Sequence, residues 1–371
     1  MTVAPHQPAP TPRQIAARPW IRLWLLVVAA LVFAMVLVGG ATRLTGSGLS
    51  ITEWAPVTGT IPPLSEQAWQ AELEKYRQIP QYQLVNRGMS LDEFKTIYRW
   101  EWGHRLLGRL IGFVFILPFL YFLATRRLER RLRWPLAGLF LLGGLQGLMG
   151  WYMVMSGLVD RVSVSQYRLA AHLGLAFLIY ALIIWASELL RERAPETAAP
   201  RPLLRGGWIF LVLLFLQIIV GAFVAGLDAG LAYRSWPLMD GRFIPTGLLL
   251  LEPWWRNLFE SVTMVQFLHR MLGYLVVLTA LYHAVDAVRR LGEGPAVLRA
   301  ALLAALSLLQ VGLGIATLLL GVPITVALLH QAGALILLTI AVIHVRAMTV
   351  AARDDAAVVL ARPAMGSAHS S

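Results

Sequence analysis

The chain of 371 residues contains no cysteine. Disulfides, thiolate metal sites and cysteine nucleophiles are therefore excluded. Any metal must be held by histidine or by oxygen ligands. Charge is also scarce. Asp, Glu, Lys and Arg make up 14% of the residues, against about a quarter in a soluble protein. No signal-peptide pattern precedes the first long apolar run, and Ala41-Thr42-Arg43 after it is a poor cleavage site. That run is expected to be kept as a transmembrane helix.

What is present is apolar: 58% of the residues are hydrophobic. Eight segments approach the ~20 residues needed to cross a bilayer. They cover 21–41, 103–124, 134–155, 169–190, 207–227, 265–285, 300–320 and 326–345. The pattern predicts an all-α integral membrane protein with eight transmembrane helices.

The net charge of +12 has the sign of a nucleic-acid binder, but its placement argues otherwise. Arg13, Arg18 and Arg22 precede helix 1. Arg126, Arg127, Arg130, Arg131 and Arg133 follow helix 2. Arg191, Arg193, Arg201 and Arg205 follow helix 4. Arg289, Arg290 and Arg299 follow helix 6, and Arg346 and Arg353 follow helix 8. With eight crossings all of these fall on one side, so both termini are expected to be cytoplasmic. No nucleic-acid partner is expected; the partner surface is lipid.

The long loops, 42–102 and 228–264, are then outside. The first opens with the small residues Thr42-Arg43-Leu44-Thr45-Gly46-Ser47-Gly48, which suit tight turns. Stretches 65–78 and 90–99 have amphipathic helical character and are expected to lie along the outer membrane surface.

The chain is internally duplicated. Val38-Gly39 matches Val220-Gly221, Gly48-Leu49 matches Gly230-Leu231, and Trp54 matches Trp236, all at an offset of 182. His104-Arg105-x-Leu-Gly matches His269-Arg270-x-Leu-Gly. Leu145-Gln146 matches Leu309-Gln310, and His172 corresponds to His330. Each half has four helices, so the halves share one orientation and a pseudo-two-fold axis along the membrane normal is expected. The division reads as a disordered cytoplasmic tail 1–20, an N-terminal four-helix bundle 21–190, a cytoplasmic linker 191–206, a C-terminal four-helix bundle 207–345 and a cytoplasmic tail 346–371.

Eight histidines are present. His6 and His369 lie in the tails. His104, His172, His269 and His330 lie in helices 2, 4, 6 and 8, within about two turns of the outer ends. Within each half the two histidines are at similar depth on parallel helices. They are placed to face each other as axial ligands of a heme iron. Two histidines per bundle without cysteine suit heme better than a closed zinc or copper site. Arg105 and Arg270 beside them have two readings: ligands of heme propionates, or snorkelling to outer headgroups. His283 and His344 each follow a site histidine by 14 residues, roughly 21 Å along the helix. They would either hold an additional heme or line the cytoplasmic interface. The first half has Pro118 and Ala186 at those places.

Glu101 precedes His104 by one helical turn, and the second half has Gln266 there. Only the first half keeps an acid, which points to chemistry in the first bundle and electron transfer in the second. A carboxylate there would serve as a base or stabilise developing positive charge. The alternative is a surface ion pair with Arg105, its i+4 neighbour.

These features together resemble the heme A synthase family over nearly the whole chain. The carriers are the eight-helix duplication, the four histidines and Glu101-Trp102-Gly103-His104-Arg105. The loop Gly39-Gly40-Ala41-Thr42-Arg43-Leu44-Thr45-Gly46-Ser47-Gly48-Leu49-Ser50, Trp54-x-Pro56 and Gly59-Thr60-Ile61-Pro62-Pro63 belong to the same pattern. Without cysteine the chain is similar to the proteobacterial and mitochondrial branch. The resemblance implies an oxidoreductase that converts the C8 methyl of heme O to a formyl group, giving heme A for cytochrome oxidase. It implies successive hydroxylations, with a geminal diol losing water to leave the aldehyde. His104 and His172 would hold heme O, with Glu101 catalytic. His269 and His330 would hold a permanent heme b. Heme O synthase and cytochrome oxidase assembly factors are implied partners, in a bacterial inner membrane with the heme sites toward the periplasm. A homo-oligomer is compatible with this, and the electron acceptor is left open. Two other readings stand beside it: a multi-heme b-type cytochrome exchanging electrons with quinone, and a transporter built on a parallel repeat.

Overall fold

The computed structural model describes residues 9–192, 196 and 199–361, and for 352–361 the backbone alone. His6, Arg193, His369 and the side chain of Arg353 lie outside the described residues. Eleven α-helices are formed among the described residues. They are α1 (Pro12–Leu44), α2 (Glu66–Arg77), α3 (Pro80–Leu84), α4 (Leu91–Ala124), α5 (Arg130–Met155) and α6 (Gln166–Leu189), then α7 (Arg201–Gly226), α8 (Asn257–Glu260), α9 (Val262–Leu291), α10 (Pro295–Leu319) and α11 (Ile324–Ala361). All but α2, α3 and α8 are long and apolar enough to cross a membrane. The chain is an all-α, multi-pass membrane protein.

Three helices extend beyond their apolar runs, each for a local reason. α1 starts at Pro12, inside the stretch 1–20 expected to be disordered. Thr11 and Gln14 form a reciprocal capping box with Pro12 in the first turn. Gln14 also donates to the Leu128 carbonyl at 3.3 Å, fastening this start to the rest of the fold. Residues 90–99 form no separate surface helix; they are the first turns of α4. Ser90 and Glu93 cap them, and the run continues without a break. Phe94, Ile97 and Tyr98 are buried with Leu73 and Tyr76 of α2. At the other end α11 runs through the expected tail as far as Ala361, because no glycine or proline interrupts it.

Four crossing helices form a ring in each half. In the first, α1 packs on α4 and α6, and α5 packs on α6 and more loosely on α4. In the second, α7 packs on α9 and α11, and α10 packs on both α9 and α11. The halves meet where α6 touches α7 and α11, and where α1 touches α11. Each even helix of the repeat therefore has the same neighbours in both halves. The shared core includes Ile21, Leu25, Leu136, Ile183, Phe210 and Leu338. In lipid such contacts stabilise by close packing, since hydrocarbon offers no hydrophobic driving force between helices.

The ring ends differ. Loops 45–90 and 227–261 lie at one end, called here the long-loop end. The other is rich in arginine, where Arg18 meets Glu129 at 2.7 Å and Arg22 meets Glu188 at 3.4 Å. Near that end α4 carries Pro118. Proline has no N–H for the carbonyl four residues earlier. The indole Nε1 of Trp24 donates to that carbonyl, of Val114, at 2.8 Å. The second half has Gly206 where the first has Trp24, at the repeat offset of 182.

Candidate functional site

The four histidines of the repeat sit in matching cradles near the long-loop end. Each imidazole lies against a glycine of a neighbouring helix. A Cβ on Gly39 of α1 would stand 3.0 Å from the ring of His104. The corresponding distances are 3.1 Å for Gly150 of α5 and His172, 3.0 Å for Gly221 of α7 and His269, and 3.0 Å for Gly314 of α10 and His330. A side chain at any of these glycines would push into the ring, which explains glycine inside helices where it is otherwise unfavourable.

The structure brings the predicted pair of the second half together. The ring centroids of His269 and His330 are 6.5 Å apart with planes at 76°. Two imidazole nitrogens each about 2.0 Å from a central metal put the ring centroids about 6 Å apart. The observed spacing therefore suits an iron between the rings. The Nδ1 of His269 is buried without a partner, a further sign of a polar group not yet satisfied. His104 lies within electrostatic reach of His172 across the first ring. All four imidazoles are half-buried. Among the described residues no group of three or more His, Asp or Glu side chains converges for a metal. The facing pair of His269 and His330 fits heme.

His283 and His344 are different. They are 2% and 0% exposed. Their Nε2 atoms are 2.8 Å apart and their ring centroids 5.1 Å. This is an imidazole–imidazole hydrogen bond, closed too far for a heme iron to sit between the two rings with bonds of about 2.0 Å to each. The rings as they stand leave no room between them for the additional heme that was one of the two readings from the sequence. The pair is packed inside the second ring, with Gly206 against His283.

Glutamines hold the cradles. Gln146 donates to the His172 carbonyl at 3.0 Å, Gln310 to the His330 carbonyl at 2.7 Å and Gln217 to the His269 carbonyl at 3.0 Å. The sequence reading had Gln146 and Gln310 only as part of the repeat and missed Gln217, whose one signal is that of a lone amide in an apolar run.

Glu101 is 3% exposed and does not form a surface pair. Its Oε2 accepts from the Ser50 hydroxyl and the Ile51 N–H, both at 2.8 Å. Its Oε1 accepts from Arg105 at 2.7 and 3.1 Å. Arg105 in turn donates to the carbonyls of Ile51 at 2.8 Å and Glu53 at 2.9 Å. The second half repeats this clasp. Arg270 donates to the Tyr233 carbonyl at 3.1 Å, and Tyr233 is the repeat equivalent of Ile51. Gln266 donates to the Ala229 and Tyr233 carbonyls at 2.9 and 3.2 Å. Both arginines thus fasten the long loops over the histidines, a role the sequence did not distinguish. The polarity at the glutamate position is reversed: Glu101 accepts from its loop, Gln266 donates to its loop.

One arginine escaped the sequence reading. Arg109, one turn along α4 from Arg105, donates to the carbonyls of Pro56 at 2.8 Å and Ala55 at 2.9 Å. Its Nη1 is buried without a partner, as is the Nε of Arg270. Cationic donors left unpaired beside the histidines suit an anionic group such as a propionate. The repeat position of Arg109 gave no signal, because residue 274 is a tyrosine.

In α2, burial pushes the Tyr76 phenol above its ordinary pKa. Its hydroxyl donates to Gln81 at 2.9 Å and accepts from Asn86 at 2.7 Å, and Gln81 donates to the Gly46 carbonyl at 3.1 Å. This neutral network stiffens the first long loop where it meets α1.

A family model described as "Cytochrome oxidase assembly protein" matches residues 22–342. The chain is 56% identical to the heme A synthase of Parvibaculum lavamentivorans, over 88% of this chain and 93% of that protein. It is 52% identical to the heme A synthase of Nitrosomonas eutropha, over 86% and 91%. It is 53% identical to that of Agrobacterium fabrum, over 90% and 92%. Matching over almost its whole membrane region, the chain belongs to the cytochrome oxidase assembly protein family that includes the heme A synthases.

Proposed function

We propose that this chain is a heme A synthase, oxidising the C8 methyl group of heme O to a formyl group for cytochrome oxidase assembly. The observation that carries the reading is an asymmetry within a duplication. Two equivalent histidine cradles are built, and only one has a buried carboxylate one turn from its histidine. High identity to heme A synthases over most of the chain supports the same reading.

The first bundle, 21–190, is assigned the substrate. His104 and His172 would hold the iron of heme O, with Gly39 and Gly150 leaving room for the rings. Arg109 and Arg105 would receive the propionates, Arg109 through its unpaired Nη1. Glu101 is committed to Arg105, Ser50 and Ile51. Held there, its side chain would stabilise positive charge developing at the methyl carbon, the electrons passing to an acceptor outside this chain. Its bonds to Ser50 and Ile51 also keep the loop over the site and exclude water.

The second bundle, 207–345, is assigned a permanent heme b between His269 and His330, with Arg270 toward a propionate. Bound there, heme b supplies a one-electron redox centre. Gln266 in place of Glu101 gives that site no charge suited to oxidising a substrate.

The arginine-rich end is assigned to the cytoplasm, with both termini, and the long-loop end to the periplasm, in a bacterial inner membrane. The parallel repeat of ring contacts supports a pseudo-two-fold axis along the membrane normal. The test is co-expression with a heme O source, followed by pigment extraction. Heme A should appear only with the intact protein. Heme-loaded protein without heme A would leave the electron-transfer cytochrome as the reading, which the His269–His330 spacing alone equally suits.

A further inference from the structure

We propose that Met35 and Gln217 are positioning residues that decide which bundle exchanges its heme and which retains it. The inference rests on the heme A synthase reading, under which one bundle must admit heme O and release heme A while the other keeps its cofactor.

Three of the four cradle histidines have their main-chain carbonyl held by a glutamine amide of a neighbouring helix: His172 by Gln146, His330 by Gln310 and His269 by Gln217. Those amides also approach the imidazoles, at 3.2, 3.2 and 3.4 Å. His104 is the exception. The residue equivalent to Gln217 at the offset of 182 is Met35. The two occupy the same place. Met35 Cε is 3.3 Å from where a Cβ on Gly108 would stand, and Gln217 Nε2 is 3.3 Å from the same point on Gly273. Gly108 and Gly273 are themselves equivalent, each four residues after its histidine. Position and reach are therefore conserved between the halves, and the chemistry is not. A thioether has no hydrogen to donate. The amide clamp that steadies His269 has no counterpart at His104.

Two independent features point the same way. The seam between α4 and α5 is looser than the equivalent seam between α9 and α10. α5 also carries Gly138, Gly143, Gly144 and Gly147, where an added side chain would meet nothing within 4 Å. The equivalents in α10, at the offset of 164, are Leu302, Ser307, Leu308 and Val311. Toward the arginine-rich end, α9 and α11 are joined by the His283–His344 hydrogen bond at 2.8 Å. Their counterparts Pro118 and Ala186 cannot form one. The two ligand-bearing helices are thus tied together in the second bundle and untied in the first. A histidine that is unclamped, on a helix free to shift, gives up its iron more readily.

The experiment uses the full-length protein purified with its hemes, mixed with excess apomyoglobin to capture released heme. The two bundles are distinguished by the spectra of b-type heme and of heme O or A. Met35→Gln should slow release from the first bundle about tenfold, as one buried hydrogen bond allows. Gln217→Met should speed loss of heme b by a similar factor and broaden the low-spin electron paramagnetic resonance signal of its bis-histidine iron. The double swap should reverse the order of release. Gln217→Glu keeps the shape and removes the amide donor. It should release heme b as fast as Gln217→Met, which separates the clamp from packing should the methionine variant fold poorly. Wild-type release rates in Met35→Gln and Gln217→Glu, or equal changes in both bundles, would overturn the proposal. Failure of the synthase reading appears separately, as no heme A from the wild-type protein.

Discussion

The first and second bundles share a scaffold and differ in its fittings. Both place two histidines against two helix glycines, and both fasten a long loop with an arginine, Arg105 or Arg270, one residue after the histidine. The first adds a buried carboxylate, a methionine in place of an amide and a tryptophan packed at the arginine-rich end. The second has Gln266, Gln217 and the His283–His344 pair at or beside the equivalent places. Duplication holds the fold constant, so each difference reads as a change of task. Under the proposed function the first bundle handles a substrate and the second holds a cofactor.

The largest expected effect comes from removing a ligand on one side of the comparison. His269→Ala should abolish heme b binding while the first bundle still takes up heme O; His104→Ala should do the converse. Heme content by pyridine hemochrome assay checks both, and an unchanged heme b content in His269→Ala would count against the assigned ligation.

Next comes the carboxylate. Glu101→Gln makes the first bundle resemble the second at this position. It should keep heme in the protein and lower heme A formation on the order of 10²-fold, the size seen when one stabilising group is removed from a polar active site. Normal heme A yield in extracted pigment would remove Glu101 from the mechanism.

Smaller effects come from the cradles. Gly221→Val places a branched side chain where a Cβ alone would stand 3.0 Å from His269. Overpacking of this kind costs about 1–3 kcal/mol, enough to lower heme b occupancy several-fold. Gly39→Val should do the same to the first bundle only. Occupancy of the other bundle in each variant is the control, and equal loss in both would show general misfolding.

The smallest expected effect is at Trp24. Trp24→Phe keeps a ring in the core and removes the hydrogen bond to Val114. It should cost about 1 kcal/mol, read as a modest drop in thermal stability of the detergent-solubilised protein. Heme b content should not change, because the second bundle has Gly206 there.

Much of this architecture was legible in the chain. Apolar runs of bilayer length show themselves without any tertiary information, and the repeat in Val38-Gly39, His104-Arg105 and Leu145-Gln146 exposed the duplication. The meeting of His269 with His330 followed from helix direction and depth. Helix limits were less legible. The amphipathic stretch 90–99 reads the same whether it stops or continues into α4, and only its packing on Leu73 and Tyr76 settles that. Arg105 was ambiguous because the carbonyls it holds, on Ile51 and Glu53, lie about fifty residues away and carry no sequence signature.

By itself the sequence determined the membrane class, the two-fold repeat, the candidate iron ligands and the single carboxylate that separates the halves. Those depend on composition, spacing and residue type, which are properties of the chain before it folds. Only the tertiary structure decided what each group touches. It closed His283 onto His344, saturated Glu101, set four glycines beneath four imidazoles and put Met35 where Gln217 stands in the other half. Such contacts depend on how helices rotate and cross, at a scale of a few ångströms that no pattern along one chain encodes.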